Sequence, residues 1–154
     1  MESINGTMMK DHAACDAAFE RSTDAARGAD WTKLQSESDA FLAHIARHIK
    51  LEEDLLFPTF EEHTGMSAGG PTETMRGEHV QMQPLFARMR HAAAAKDAAG
   101  YLDASQALHE ILHQHNMKEE QMMYPMLDQA LGAQAAAAIV NECRNALELS
   151  GACS

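Results

Sequence analysis

The chain has 154 residues, 45 % of them hydrophobic and only 5 % aromatic, and carries a formal net charge of -11. That length suffices for one domain with a core and is short for two, so residues 1–154 are expected to form a single domain. Alanine, leucine and methionine outnumber valine and isoleucine, which points to helix over sheet, and the acidic balance argues against nucleic acid or an anionic membrane as partner.

Glycine, proline and polar clusters at 27–31 (RGADW), 63–72 (HTGMSAGGPT) and 96–101 (KDAAGY) cut the chain. They leave predicted helices over 3–27, 31–64, 72–96 and 100–131, and Gly132 separates a shorter fifth helix over 133–149. Short connections between long helices imply antiparallel neighbours, hence an all-α, up-down-up-down four-helix bundle spanning about 3–131 with a short extra C-terminal helix. Pro58 is expected to kink the second helix and turn "PTFEEHTG" away from the bundle axis.

In the first helix His12 lies between Met8 and Phe19 on the apolar stripe, with Cys15 and Asp16 three and four residues on. At 100° per residue the second helix aligns Leu34, Phe41, Ile45, His48, Glu52 and Leu55. The third places His79 between Met75 and Phe86, and the fourth aligns Ala104, Leu108, Ile111, His115, Glu119, Met122 and Met126. The chain repeats itself at a shift of 67 residues: His12 falls on His79, His48 on His115, Glu52 on Glu119, Glu53 on Glu120 and Pro58 on Pro125. "HIKLEEDLLFP" thereby recurs as "HNMKEEQMMYP".

Counting outward from the hairpin turns at a rise of about 1.5 Å per residue levels the histidines of each hairpin to within about 3 Å. One layer of the bundle then holds four imidazoles and two carboxylates. Burying two carboxylates costs several kcal/mol each unless something compensates, so a cation is expected. The spacing H-x-x-x-E lets both side chains of a pair converge, and imidazole with carboxylate suits iron, manganese or zinc. Six ligands are too many for one tetrahedral zinc but suit two metals bridged by two glutamates.

The set of a lone inward histidine, H-x-x-x-E-E before "LFP", a second lone histidine and H-x-x-x-E-E before "MYP" resembles the hemerythrin-like, or HHE cation-binding, family over about residues 8–127. The resemblance implies two iron ions, oxo- or hydroxo-bridged, held by His12, His48, Glu52, His79, His115 and Glu119, with manganese or zinc less favoured. It departs from the invertebrate oxygen carriers, whose third helix has a further histidine where Gln83 stands, and whose last helix has an aspartate where Glu120 follows Glu119. Four histidines with two glutamates look more like the bacterial branch that includes iron-centre repair proteins and members handling peroxide or nitric oxide. The implied function is binding of, or reaction with, dioxygen, peroxide or nitric oxide. The alternatives are an iron reservoir, an iron-centre repair or stress-response protein, and a sensor without catalysis. The extra domain with a cysteine pair usual in the repair proteins is not found in this sequence, nor is a fused ligase or signalling domain.

His44, four before His48 on the stripe, is read as a further ligand or as a histidine bonded at the core edge. Asp16, four after His12, is read as a hydrogen-bond acceptor for a ligand or as a reach to metal, with a solvated acid as the plainer reading. Cys15 is expected to be a small apolar core residue, Tyr124 to pack beside Pro125 with an approach to the metals open, and His63, His91, His109 and His113 to lie at the surface. Glu110 and His113 form one E-x-x-H, the signature that ferritin-like di-iron bundles use twice, but it faces away from His115. Eleven methionines suit an adaptable pocket, with Met8, Met75, Met122 and Met126 near the metals. Cys15, Cys143 and Cys153 are odd in number and widely spaced, so free thiols are expected. No apolar run reaches the roughly 18 residues of a membrane span and the N-terminus lacks the build of a secretory leader, so a cytoplasmic location is expected.

Overall fold

A computed structural model describes the backbone of residues 2–151 and the side chains of 2–147; Cys153 lies outside the described residues. Its helices are α1 (Ile4–Arg27), α2 (Trp31–Leu51), α3 (Phe57–Thr64), α4 (Pro71–Ala94), α5 (Ala98–Lys118), α6 (Tyr124–Leu131) and α7 (Ala133–Gly151). A π-helical turn at Glu52–Leu56 joins α2 to α3 without a break, and another at Glu119–Met123 joins α5 to α6. The described residues thus form a helical bundle with a short C-terminal helix and no strand, as the sequence pattern predicts.

The two hairpin turns are copies of one another. Ala29 and Lys96 take positive φ (52° and 57°), the amides of Asp30 and Asp97 reach back to the carbonyls of Ala25 and Ala92, and both aspartates cap the helix that follows. Asp30 Oδ1 accepts from the Lys33 amide at 3.2 Å and Asp97 Oδ1 from the Gly100 amide at 2.9 Å. This cap starts α5 at Ala98, so "AAGY", read from the sequence as turn, is helix.

Sequence reasoning missed the two π turns. Each begins at an inward glutamate, closes with an amide bonded five residues back (Phe57 to Glu52, Tyr124 to Glu119), and is followed after one residue by Pro58 or Pro125. A proline has no amide to give and its ring crowds the carbonyl four residues earlier, so the ladder is already broken where the wider turn sits. Helix continues through Pro58 to Thr64, and the local irregularity expected at the proline lies in the residues before it. The extra residue in each turn moves the apolar phase on by one. Met123, Tyr124 and Leu127 are fully buried, whereas Met122 is 42 % exposed and Met126 only partly covered. Leu56, Phe57 and Phe60 are likewise buried, and Leu55 is not. The regular wheel that placed Leu55, Met122 and Met126 inward holds up to the glutamates and fails after them.

The layer of histidines and glutamates lies between two apolar cores. On the hairpin side are Cys15, Phe41, Ile45, Met82, Phe86 and Leu108 with their neighbours. On the other are Ile4, Met8, Leu56, Phe57, Phe60, Met75, Met123, Tyr124 and Leu127, closed by Ala136, Val140 and Cys143 of α7. Segment α3 shares this second core with α6 and is tied to α4 through Glu61, which accepts from Thr72 Oγ1 at 2.7 Å and from Arg76 Nη2 at 3.0 Å.

The shifted phase distinguishes two neighbouring methionines. Met123→Ala is expected to cost about 2–5 kcal/mol of unfolding free energy by opening a cavity, and Met122→Ala less than about 0.5 kcal/mol, as read from chemical denaturation. The reverse order would mean that the helix runs through Glu119 as a regular α-helix.

Candidate metal centre

Each hairpin contributes one pair of imidazoles: His12 of α1 faces His48 of α2, and His79 of α4 faces His115 of α5. In both pairs the Nε2 atoms are 3.2 Å apart. Glu52 and Glu119, the first residues of the π turns, come from opposite hairpins and are fully buried between the pairs. Glu119 Oε1 lies 3.2 Å from His12 Nε2 and its Oε2 3.2 Å from His115 Nε2. Glu52 Oε1 lies 3.1 Å from His79 Nε2 and its Oε2 3.6 Å from His48 Nε2. Each carboxylate therefore reaches one histidine of each hairpin. His12, His48, Glu52 and Glu119 form one group that could hold a metal ion, and Glu52, His79, His115 and Glu119 form a second that shares both glutamates.

The outward nitrogens are held by a second set of carboxylates. Nδ1 of His12 is 2.6 Å from Glu120 Oε2, that of His48 2.6 Å from Asp11 Oδ2, that of His79 3.3 Å from Glu53 Oε1, and that of His115 2.8 Å from Glu78 Oε1. With the Nδ1 proton donated outward, each imidazole presents its Nε2 lone pair inward, the tautomer a metal needs. These acids are braced in turn: Asp11 by His44 Nε2 at 2.9 Å, Glu53 by Arg76 Nη1 at 2.8 Å, and Glu78 by Lys118. Sequence reasoning did not single out Asp11 or Glu78 and named Glu53 only as the repeat partner of Glu120. The same 67-residue shift contains the signal, since Asp11 falls on Glu78 and Glu53 on Glu120. Each acid is the chain neighbour of an inward histidine or glutamate, and its partner across the helix pair becomes evident only when the helices are packed.

Several observations test whether a cation fits here. With all four rings neutral and their Nδ1 protons outward, the lone pairs of paired Nε2 atoms 3.2 Å apart would repel. Glu52 Oε1 and Glu119 Oε2 are buried without any hydrogen-bond donor, a costly state for a carboxylate oxygen. Two ligand atoms each about 2.1 Å from a shared metal and about 90° apart would be about 3 Å from each other, close to the observed nitrogen pairs. Protonation answers the same deficit of positive charge. Burial opposes a charge on His48, yet Glu52 and Asp11 outweigh it and push its pKa up to about 10. Burial of His115 is likewise outweighed, by Glu119 and Glu52, and its pKa rises to about 11. Burial raises the carboxyl pKa of Glu52 and of Asp11, but their histidine partners prevail and hold both well below the usual range. The residues present fit a metal pair.

Tyr124 comes to the centre because the π turn places it five residues past Glu119 on the same face. Its hydroxyl lies within hydrogen-bond distance of Glu119 Oε1 at 2.9 Å and of Glu52 Oε2. Burial and the two carboxylates push the phenol well above its ordinary pKa, so it stays protonated. Its counterpart Phe57 stacks on His79 at 5.5 Å and offers no such group. His44 is not among the clustered ligand atoms; it reaches His48 through Asp11. Asp16 is exposed, as are Glu110, His63, His91, His109 and His113. Cys15 is buried, and burial with the nearby Asp11 and Asp16 charges raises its thiol pKa, in keeping with a packing role. Cys143 is buried too, its thiol pushed up to about 12 by burial first and nearby carboxylates second.

Residues 3–146 match the family described as the hemerythrin HHE cation-binding domain. The chain is also similar to an uncharacterized hemerythrin-like protein of Schizosaccharomyces pombe, 26 % identical over 131 residues, which cover 85 % of this chain and 62 % of that protein. No solved structure matches it. With the match running through every element from α1 into α7, the chain belongs to the hemerythrin HHE cation-binding family.

Proposed function

We propose that this chain is a non-haem di-iron protein, held by His12, His48, Glu52, His79, His115 and Glu119, that binds or reacts with dioxygen, peroxide or nitric oxide. The observation that carries this reading is the pair of four-residue groups sharing Glu52 and Glu119. Residues 1–154 work in it as one domain in the cytoplasm; no described helix is long and apolar enough to cross a membrane. Four imidazoles with two carboxylates favour iron over a soft-ligand metal, and zinc structural sites are four-coordinate. Bound iron would supply a redox-active Lewis acid with a coordination position for a small ligand.

The protein's own residues would do the rest. The outward carboxylates fix the imidazole tautomers, and the two glutamates supply negative charge between the hairpins. Beside the layer lies a cavity of about 10 Å³, walled by Ile45, Ile49, Met82 and Leu112 with the imidazoles, room for about one water-sized species. A space that small does not admit an organic substrate. On the opposite side Tyr124 holds a proton on its hydroxyl beside Glu119 Oε1.

Glu52→Ala and Glu119→Ala are each expected to abolish binding of an iron pair, measured as iron per chain after anaerobic loading. Wild-type occupancy in either variant would show that the glutamates do not bridge. Mixing ferrous protein with dioxygen, peroxide or nitric oxide in a stopped-flow spectrophotometer should give a fast optical change with at least one of them. No change with any of the three would contradict the reading.

Acidity gives a further test. The raised pKa values of His48 and His115, about 10 and 11 against 6.5, contribute stability to the metal-free fold that is fully present below about pH 6.5 and is lost as pH rises toward 10. The lowered Glu52 and Asp11 contribute above their ordinary values of 4.5 and 3.8 and lose that contribution as pH falls. The metal-free protein is therefore expected to have its highest Tm between about pH 4.5 and 6.5. The rise in Tm on adding ferrous iron should instead grow from about pH 5 to 8, because metal and protons compete for the same nitrogens. A metal-induced rise independent of pH would exclude the imidazoles as ligands.

A further inference from the structure

The two halves of the repeat differ on the surface between α1 and α5. Between α1 and α5 opens a groove of about 210 Å³ whose walls include Asp16, His109, His113, Asn116 and Glu120. The matching positions of the other half are Gln83, Leu42, Ala46, Ile49 and Glu53, so only one hairpin pair carries this collection of nitrogen and oxygen donors. His109 and His113 are one helical turn apart with ring centroids 5.9 Å apart and nearly parallel, and Phe19 backs His109 at 6.1 Å. Among the described residues, no side-chain hydrogen bond or ion pair engages Asp16, His109 or His113.

The groove is also adjacent to the buried layer. Leu112 and Asn116 line both it and the small inner cavity, and Glu120 lines the groove while holding His12 Nδ1. Its chemistry selects its visitor. A neutral diatomic gains nothing from two carboxylates, and an anion is repelled by them within a chain of net charge -11. Two imidazoles at i and i+4 of α5, with the Asp16 carboxylate across the groove on α1, are donors that suit a divalent transition-metal ion.

We propose that this groove is a docking site for divalent metal ions, captured first by the His109 and His113 pair with Asp16 on the facing helix, from which ferrous ions pass Leu112 and Asn116 to reach the buried centre. The passage rests on the di-iron reading above; the docking site itself does not. Exposed imidazole on one helix turn captures the aquated ion by displacing part of its water, the Asp16 carboxylate neutralises part of its charge, and Asn116 offers a polar group at the boundary between groove and layer.

Two measurements test it. Sub-stoichiometric Ni²⁺ added to the full chain should broaden the imidazole NMR signals of His109 and His113 before those of the exposed His63 and His91; uniform broadening would overturn the docking site. Anaerobic uptake of Fe²⁺ by the metal-free protein should be at least tenfold slower in the triple variant Asp16→Asn, His109→Ala, His113→Ala, with unchanged final iron content, while Gln83→Ala on the matching face loads at the wild-type rate. Uptake by the triple variant at the wild-type rate would overturn the passage. So would a lowered final iron content, since the residues would then belong to the centre itself. A wild type that takes up no iron would contradict the di-iron reading, and the Ni²⁺ broadening would then decide the docking site alone.

Discussion

Two carboxylates with no exposure to water, Glu52 and Glu119, stand between two pairs of imidazoles whose Nε2 atoms face each other at 3.2 Å. Such a layer has too little positive charge for its surroundings, and much of the structure is arranged around that deficit. The carboxylates draw protons onto His48 and His115 when nothing else is present. The four outward acids would not be needed to hold a purely structural core together. They make sense as the means of keeping four Nε2 atoms aimed at one place. The apolar cores above and below keep water from filling the charge deficit.

The 67-residue repeat carries more than the ligands. It also sets the hairpin turns, through Ala29 and Lys96 followed by Asp30 and Asp97, and it sets the π turns that begin at the glutamates. Both hairpins therefore deliver two histidines and a glutamate to one layer, related by the repeat. The departures from that symmetry occur where chemistry differs on the two sides. Tyr124 stands where the other half has Phe57, and the polar α1–α5 groove stands where the other half has Leu42 and Ala46.

Most of the architecture was legible in the sequence because helix periodicity and turn residues are local signals. The inward histidines could be read because His12, His48, His79 and His115 lie before any irregularity in their helices, where a 100° wheel holds. Met122, Met126 and Leu55 were misplaced because a wheel cannot register a π turn, whose cause is the combination of a proline two residues on and the packing of the next segment. Asp11 and Glu78 were missed for a different reason. Each belongs to one helix and acts on a histidine of its hairpin partner, a relation that becomes visible only when the helices are side by side. Tyr124 was legible as a substitution within the repeat, but its hydroxyl between two glutamates follows from the same unrecognised π turn.

The most direct measurement of the central claim is the metal content and thermal stability of protein purified without oxygen and loaded with ferrous iron. The structure leads us to expect two iron ions per chain and a clear rise in Tm as the charge deficit of the layer is met. Fewer than about one iron per chain, with Tm unchanged from the metal-free protein, would contradict it, since binding that favours the folded state must raise its stability.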